Sequence, residues 1–295
     1  MSWTIGVDVG GTFTDFYAAH DETGIHHVYK TSSTPSNPAD AILTGLDAMC
    51  DKFGIPKNDI KRVSHGTTVG TNALIQRTGG RVALVTTKGF RDLLEIGRQT
   101  RPHMYDLQKD YPAPLVDREY RIELNERIGA AGEIVRAPSA EDIDIAIDAV
   151  INAGADACAI GFVFSFRNDE HEQQFANALR KRAPGIAISV SSEVQPEFRE
   201  YERLSTTVLN AYLQPVMWHY LETLEAGIAI RAPNASLGIN QSSGGLMSVR
   251  RSREFPVRTA LSGPAAGAVG AAHAARQTKR NKIITLDMGG TSADV

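Results

Sequence analysis

The chain has 295 residues, 42% hydrophobic and 22% charged, with a formal net charge of −3. That length buries a sizeable core and sets an expectation of about two domains. The weak net charge offers no basic surface for nucleic acid or an anionic membrane, the N-terminus enters an apolar run without a charged signal region, and the longest apolar stretch, Ala157 to Phe166, is too short to span a bilayer. We therefore expect a cytoplasmic protein with no nucleic-acid and no membrane partner.

In chain order, Trp3 to Lys30 reads as three short strands joined by turns at Gly10-Gly11 and near Gly24. Asn37-Pro38 opens a helix to about Phe53, with Asn as cap and Pro at the first helical position. Cys50 in that helix and Cys158 further on sit among apolar residues, as buried inert thiols do, and no Cys/His spacing marks a transition-metal site. Arg62 to His65 is a short strand, Gly66-Thr67-Thr68 leads into a helix through Asn72 and Ile75, and Arg81 to Thr86 is the next strand. Three strands followed by alternating α and β units match the ribonuclease-H-like half of an actin-like ATPase, here over residues 1–87, within the α/β class.

From Lys88 to Pro138 the pattern is irregular, broken at Arg101-Pro102 and Pro112-Ala113-Pro114, with a mostly polar strand over Glu119 to Ile128. A stretch of that length is usually functional or an insertion. Helix (140–152), strand (157–164), helix (170–182) and strand (186–190) then follow, so an inserted α/β lobe is expected over 88–200. The charged run Glu197, Arg199, Glu200, Glu202 and Arg203 reads as a solvated helix face. Tyr201 to Ala226 reads as a long helix interrupted by Pro215, Ser236 to Asn240 as a strand, and Gly263-Pro264 starts an Ala/Gly-rich helix to Ala275.

One pattern occurs twice. Asp8-Val9-Gly10-Gly11-Thr12-Phe13-Thr14-Asp15 follows Trp3 to Val7, and Asp287-Met288-Gly289-Gly290-Thr291-Ser292-Ala293-Asp294 follows the strand-like Ile283 to Leu286. The octets agree at Asp, Gly, Gly, Thr and the final Asp. Glycines after a strand permit positive φ and bring backbone N–H groups close to an anion. The Thr hydroxyl adds a donor, and the Asp can hold hydrated Mg²⁺ beside phosphates. A Gly-Gly pair alone can be no more than a hairpin turn; two near-copies point to two related domains closing on one nucleotide. Because the second copy stops at Val295, we expect 201–295 to open a truncated second ATPase domain. We also expect an unpaired strand over Ile283 to Leu286 and an inactive 295-residue chain.

The blocks Ile5 to Asp15, His65-Gly66-Thr67-Thr68-Val69-Gly70-Thr71-Asn72-Ala73-Leu74, Arg98-Gln99-Thr100-Arg101-Pro102, Glu193 to Arg203, Leu209 to Pro215, Gln241 to Met247 and Leu261-Ser262-Gly263-Pro264-Ala265-Ala266-Gly267 occur in the order of the hydantoinase/oxoprolinase family. The chain resembles the N-terminal part of its A-type subunit. The resemblance implies ATP and Mg²⁺ as cofactors, a hydantoinase B-type partner subunit, an oligomer when full length, and a small cyclic amide as substrate: hydantoin, 5-oxoproline or a lactam. The alternatives are the ATP-handling subunit of an acetone-type ketone carboxylase, an actin-like ATPase chaperone or reactivating factor, and a sugar kinase of the same fold. The His65 to Leu74 and Arg98 to Pro102 blocks favour the enzymes of this family.

A cyclic amide is a poor electrophile, and phosphoryl transfer to its oxygen requires positioning and charge neutralisation more than covalent catalysis. Asp8 and Asp287 are the expected Mg²⁺ carboxylates, acting through water. Gly10, Gly11, Thr12 and Thr14, with Gly289, Gly290 and Thr291, are the expected phosphate contacts. Asp15 orients a water or braces the turn. Gly66, Thr67 and Thr68 offer N–H donors at a helix start. His65 is either catalytic or a buried, hydrogen-bonded histidine, and Thr68 either a ligand or an N-cap. Asn72, Arg98 and Arg101 are expected at the substrate, the arginines as bidentate clamps, with a solvated surface pair as the alternative. Ser242-Ser243-Gly244-Gly245 is an anion-binding turn or a plain loop.

Overall fold

The computed structural model describes residues 2–34, 37–288 and 293–294. In chain order the elements begin with β1 (Trp3–Val9), β2 (Phe13–His20), β3 (His26–Ser32), α1 (Pro38–Phe53), β4 (Ile60–Gly66), α2 (Val69–Gln76) and β5 (Val82–Thr87). Next come α3 (Leu93–Ile96), β6 (Arg121–Leu124), β7 (Arg127–Ile128), β8 (Ile134–Arg136), α4 (Ala140–Asn152), β9 (Ala157–Gly161), α5 (Glu170–Arg182), β10 (Ala187–Val190) and α6 (Ser191–Val194). The chain closes with α7 (Glu200–Arg231), β11 (Ser236–Asn240), β12 (Leu246–Ser248), α8 (Val249–Glu254), α9 (Ser262–Gln277), β13 (Asp287–Met288) and β14 (Ala293–Asp294).

Two compact units result, one of Met1–Arg77 with Val216–Val295 and one of Thr78–Pro215. The first holds a mixed sheet in the order β12-β11-β4-β1-β2-β3. β1 pairs antiparallel with β2 and parallel with β4. Alternation puts Trp3, Ile5, Val7 and Val9 of β1 and Phe16 and Ala18 of β2 into the core. Helix α1 packs there through Ile42, Leu46 and Met49, each at most 1% exposed; burying a side chain of this size contributes about 1.5–3 kcal/mol. The second half of α7 carries Arg231, which pairs with Asp47 of α1 at 2.7 Å.

The second unit holds a parallel sheet in the order β10-β9-β5-β6. Every residue of β5 and β9 is buried, as in a parallel sheet covered on both faces. Ala83, Val85, Cys158 and Ile160 pack with Ile143 and Ile147 of α4 and Phe175 and Leu179 of α5. On the other face Leu204 of α7 sits against Gly161.

Several expectations change. The strand at Val82–Thr87 belongs to the parallel sheet, where it pairs with β6 and β9 and all six of its residues are buried. The lobe accordingly runs from Thr78 to Pro215, and Val216 onward returns to the first unit. The polar strand over 119–128 is split into β6 and β7. Pro215 does not interrupt α7. Its ring removes one helical donor, but one turn earlier the Tyr212 carbonyl accepts the Gly80 N–H at 3.0 Å. Residues Ile283 to Leu286 form no strand; Ile284 is 89% exposed and no neighbouring strand pairs with it. Both cysteines are buried and free, with burial pushing the Cys50 thiol up to about 11. Among the described residues no helix is long and apolar enough to cross a membrane.

The charged run near 200 is not a solvated face throughout. Arg203, Thr207, Asn210 and Gln214 recur at helical spacing and form a buried polar stripe on α7. Arg203 donates to Ser191 Oγ (3.2 Å), the Glu197 carbonyl (2.9 Å) and the Phe162 carbonyl (2.7 Å). Glu172 of α5 accepts from Phe162 N (2.9 Å), Ser191 Oγ (2.6 Å) and Ser192 N (3.0 Å). Burial pushes its carboxyl up while these donors oppose the shift. Asn210 and Gln214 both bond Ser189 Oγ at 2.9 Å. Replacing Arg203 by Ala is expected to destabilise this unit by about 3–5 kcal/mol, because Glu172 loses its buried counter-charge. A urea unfolding midpoint within error of the unaltered protein would contradict this account.

Candidate functional site

The turn between β1 and β2 is the starting point. Gly10 N–H donates to the Phe13 carbonyl at 2.9 Å, and a β-carbon on Gly10 would stand 3.1 Å from that oxygen. Close approach therefore requires glycine here. Neither Gly10 nor Gly11 takes the positive φ expected of the pair. No atom lies within 4 Å of where a Gly11 β-carbon would stand, so the space over the turn is open. Ser33 braces the turn from below: its hydroxyl donates to the Gly10 carbonyl (2.7 Å) and its N–H to the Thr12 carbonyl (2.9 Å). Thr14, expected among the phosphate contacts, is wholly buried with its hydroxyl 3.0 Å from Ser33 Oγ. Thr12 remains exposed. Asp15 pairs with Lys30 at 3.1 Å.

Register builds the rest. Asp8 sits opposite Asp15 on β2 and opposite Gly66 on β4. A β-carbon on Gly66 would stand 3.3 Å from Asp8 Oδ1 and 3.5 Å from Asn240 Nδ2, so the Gly66 backbone lies directly against the exposed Asp8 carboxylate. Thr68 Oγ1 donates to the Val9 carbonyl at 3.2 Å, tying the start of α2 to the end of β1. Thr68 stands at the N-cap position, but its side chain caps nothing. Thr67 Oγ1 instead accepts the Val69 N–H at 3.2 Å. The N–H groups of Thr68, Gly70 and Thr71 have no acceptor among the described residues. Asn72 is exposed, with Nδ2 3.5 Å from Thr68 Oγ1.

His65 is fully buried. Nδ1 lies 3.4 Å from the Val7 carbonyl and Nε2 2.5 Å from the Tyr220 hydroxyl. A carbonyl only accepts, so Nδ1 carries the proton and Nε2 accepts from Tyr220. Burial pushes His65 down to about 4, with the Val7 bond opposing. Burial likewise pushes the Tyr220 phenol up, against a bond to the Thr67 side chain. Of the two sequence readings, the buried, hydrogen-bonded histidine describes the geometry; the ring presents no surface to a substrate.

From the C-terminal part of the unit, Ser262 Oγ accepts the Thr67 N–H (3.4 Å) and donates to the Thr67 carbonyl (3.2 Å). Leu261 N–H donates to Thr71 Oγ1 at 3.1 Å, with Leu261 in the left-handed region at φ 58°. The 242–245 turn is the β11–β12 hairpin turn, with Gly244 and Gly245 at φ 85° and 80°. Sequence reasoning missed Ser33, Asn240, Tyr220 and Ser262 as parts of this site. Ser262 at least lies in the Leu261 to Gly267 block, whereas a tyrosine on an apolar helix face carries no such signal.

The two ends of the second octet pair in the register of the first. Asp287 pairs with Asp294 and Met288 with Ala293, the antiparallel register in which Asp8 meets Asp15 and Val9 meets Thr14. Part of the second hairpin thus closes, against the expectation of half a hairpin. Gly289, Gly290 and Thr291 lie outside the described residues. Arg98 and Arg101 belong to the other unit. There Arg98, 56% exposed, is ion-paired with Glu202, and Arg101 is exposed. Among the described residues no cluster of three His, Cys, Asp or Glu could hold a metal ion.

The profile described as "Hydantoinase/oxoprolinase N-terminal region" matches residues 4–183, and that described as "Hydantoinase/oxoprolinase" matches residues 203–295. The chain is 38% identical over 301 residues to the caprolactamase subunit alpha of Pseudomonas jessenii, covering 100% of this chain and 43% of that subunit. The crystal structure of the ATP-dependent caprolactamase from Pseudomonas jessenii superposes with a TM-score of 0.87 at 37% identity, over 98% of this chain and 43% of that one. A nucleotide-free acetone carboxylase structure superposes with a TM-score of 0.87 at 25% identity, again over 98% and 43%. The chain thus spans less than half the length of these relatives. With two profiles covering nearly its whole length, the chain belongs to the hydantoinase/oxoprolinase family.

Proposed function

We infer that this chain forms the ATP-handling part of an enzyme that opens a small cyclic amide (hydantoin, 5-oxoproline or a lactam) and works with a hydantoinase B-type subunit. The observation that carries the reading is the Asp8 carboxylate at the end of β1, against Gly66 and beside the unsatisfied N–H groups that open α2. The similarity to an ATP-dependent caprolactamase supports the reaction class, and the word subunit in its relative's name supports a multi-chain assembly.

The two like-registered hairpins support an actin-like arrangement, in which the first unit is one ATPase half and the chain from Asp287 leads into the other. In this reading Asp8 and Asp287 hold Mg²⁺ through water. Gly10, Gly11, Thr12 and the N–H groups of Thr68, Gly70 and Thr71 receive phosphate oxygens, as helix N-termini receive anions; Gly289, Gly290 and Thr291 supply the matching turn. Bound there, Mg-ATP would supply the phosphoryl group that turns an amide oxygen into a leaving group. Asn72 contacts substrate. His65, neutral and buried, holds the turn and transfers no proton. A second reading, the ATP-handling subunit of a ketone carboxylase, draws support from the equal TM-score to acetone carboxylase; the higher identity to caprolactamase favours the amide.

Steady-state ATP hydrolysis by the intact protein with its partner subunit separates the readings. Stimulation by hydantoin, 5-oxoproline or caprolactam supports the first, and stimulation only by acetone with bicarbonate supports the second. ATP turnover indifferent to all four would overturn both. Asp8→Asn and Asp287→Asn are each expected to lower stimulated turnover by about a hundredfold or more with an unchanged melting temperature; near-normal turnover in both variants would remove their proposed role.

The depressed pKa of His65 also fixes a pH dependence. Its folded value of about 4 lies below the ordinary 6.5, so the unfolded chain binds the extra proton first and stability is lost as pH falls from about 6.5 towards 4. The loss is on the order of 3 kcal/mol. His65→Gln should flatten that window in urea titrations across pH; an unchanged slope would show that another group controls it.

A further inference from the structure

We propose that Tyr220 and Ser262 are positioning residues that hold the Thr67 turn, and with it the N–H groups opening α2, against the Asp8 end of β1. The inference rests on the nucleotide reading of that turn. It starts from proton accounting. His65 donates through Nδ1 to the Val7 carbonyl, one residue before Asp8, and accepts at Nε2 from Tyr220. The Thr67 hydroxyl, in the turn that follows, accepts from Val69 N–H. On the other side, Ser262 Oγ both accepts from and donates to the Thr67 backbone.

Both ring nitrogens of His65 and both backbone polar groups of Thr67 have a partner. A satisfied network of this kind specifies one geometry. His65, Thr67 and Ser262 are each at most 1% exposed and Tyr220 is 6% exposed, so no water competes for their bonds. The network joins four separate parts of the chain: the end of β1, the turn after β4, the second half of α7 and the start of α9. Hydroxyls that bond the His65 ring and the Thr67 backbone do more than fill space, since Phe and Ala would fill most of the same volume. The turn leads into N–H groups that have no acceptor among the described residues, and the Gly66 backbone just before it lies against the Asp8 carboxylate. Shifting Thr67 moves those donors relative to Asp8, which is how a residue that touches no ligand changes binding.

The test is calorimetric titration of the intact protein with the Mg²⁺ complex of a non-hydrolysable ATP analogue, alongside thermal melting. The variants are Tyr220→Phe, Ser262→Ala, Ser262→Thr and Asp8→Asn. The expected result is Kd raised about tenfold or more in Tyr220→Phe and Ser262→Ala, from proteins that still melt cooperatively. Ser262→Thr, which keeps the hydroxyl, should recover most of the affinity. If one variant fails to fold, the other still decides. Unchanged Kd in Tyr220→Phe and Ser262→Ala with Asp8→Asn weakened overturns the positioning role and leaves the nucleotide site standing. Unchanged Kd in all three overturns the nucleotide reading as well. Weakening that Ser262→Thr does not reverse assigns Ser262 to packing and removes it from the proposal.

Discussion

The first unit is organised by the double pairing of β1. Its antiparallel ladder with β2 engages all seven of its residues, and its parallel ladder with β4 engages Trp3 to Asp8. They leave Asp8 in one position, opposite both Asp15 and Gly66. Slipping either ladder by one residue would turn Ile5, Val7 and Val9 outward and carry Asp8 into the core. The carboxylate is therefore held at the sheet's end by the same apolar burial that stabilises the sheet. Gly66 is the complementary constraint, since a side chain there would press on the Asp8 carboxylate.

Both units place polar networks where an apolar core would suffice for stability. In the first, His65, Tyr220, Thr67 and Ser262 fasten a turn that carries open donors. In the second, Arg203 and Glu172 join the ends of β9 and β10 to the first turns of α7 and to α5. Each network lies at the carboxyl ends of parallel strands, where βα loops begin and where open α/β sheets bind ligands. They differ in what remains unsatisfied. The Arg203 network engages its donors internally, as structural bracing does. The turn at Thr67 keeps N–H groups directed away from its own hydrogen bonds.

Much of the fold was legible because the strands and helices carry plain periodicity and punctuation. The β1–β2–β3 hairpins, α1 from Pro38, and α4, α5 and β10 stand where alternation, caps and Gly turns put them. The errors have physical causes. The fully apolar β5 gives no indication of which sheet it joins. Pro215 reads as a break because the Gly80 backbone that its ring packs against lies 135 positions earlier. Arg203 reads as solvated because the residues that bury it, Ser191, Phe162 and Glu172, come from other elements.

By itself the sequence determined the two Asp-Gly-Gly-Thr octets, the candidate residues within them, and the family to which the chain belongs, because these depend on residue identity and short spacing. Tertiary structure alone decided which of those residues face outward. It left Asp8, Gly11 and Thr12 exposed to solvent, enclosed Thr14 and His65, set Lys30 beside Asp15, and recruited Tyr220 and Ser262 from 155 and 195 residues away. The physical reason is that exposure and hydrogen-bond partnership are properties of pairs of elements. A local pattern specifies a strand or a turn, but the partner that buries a side chain or accepts its proton is fixed only when distant elements pack.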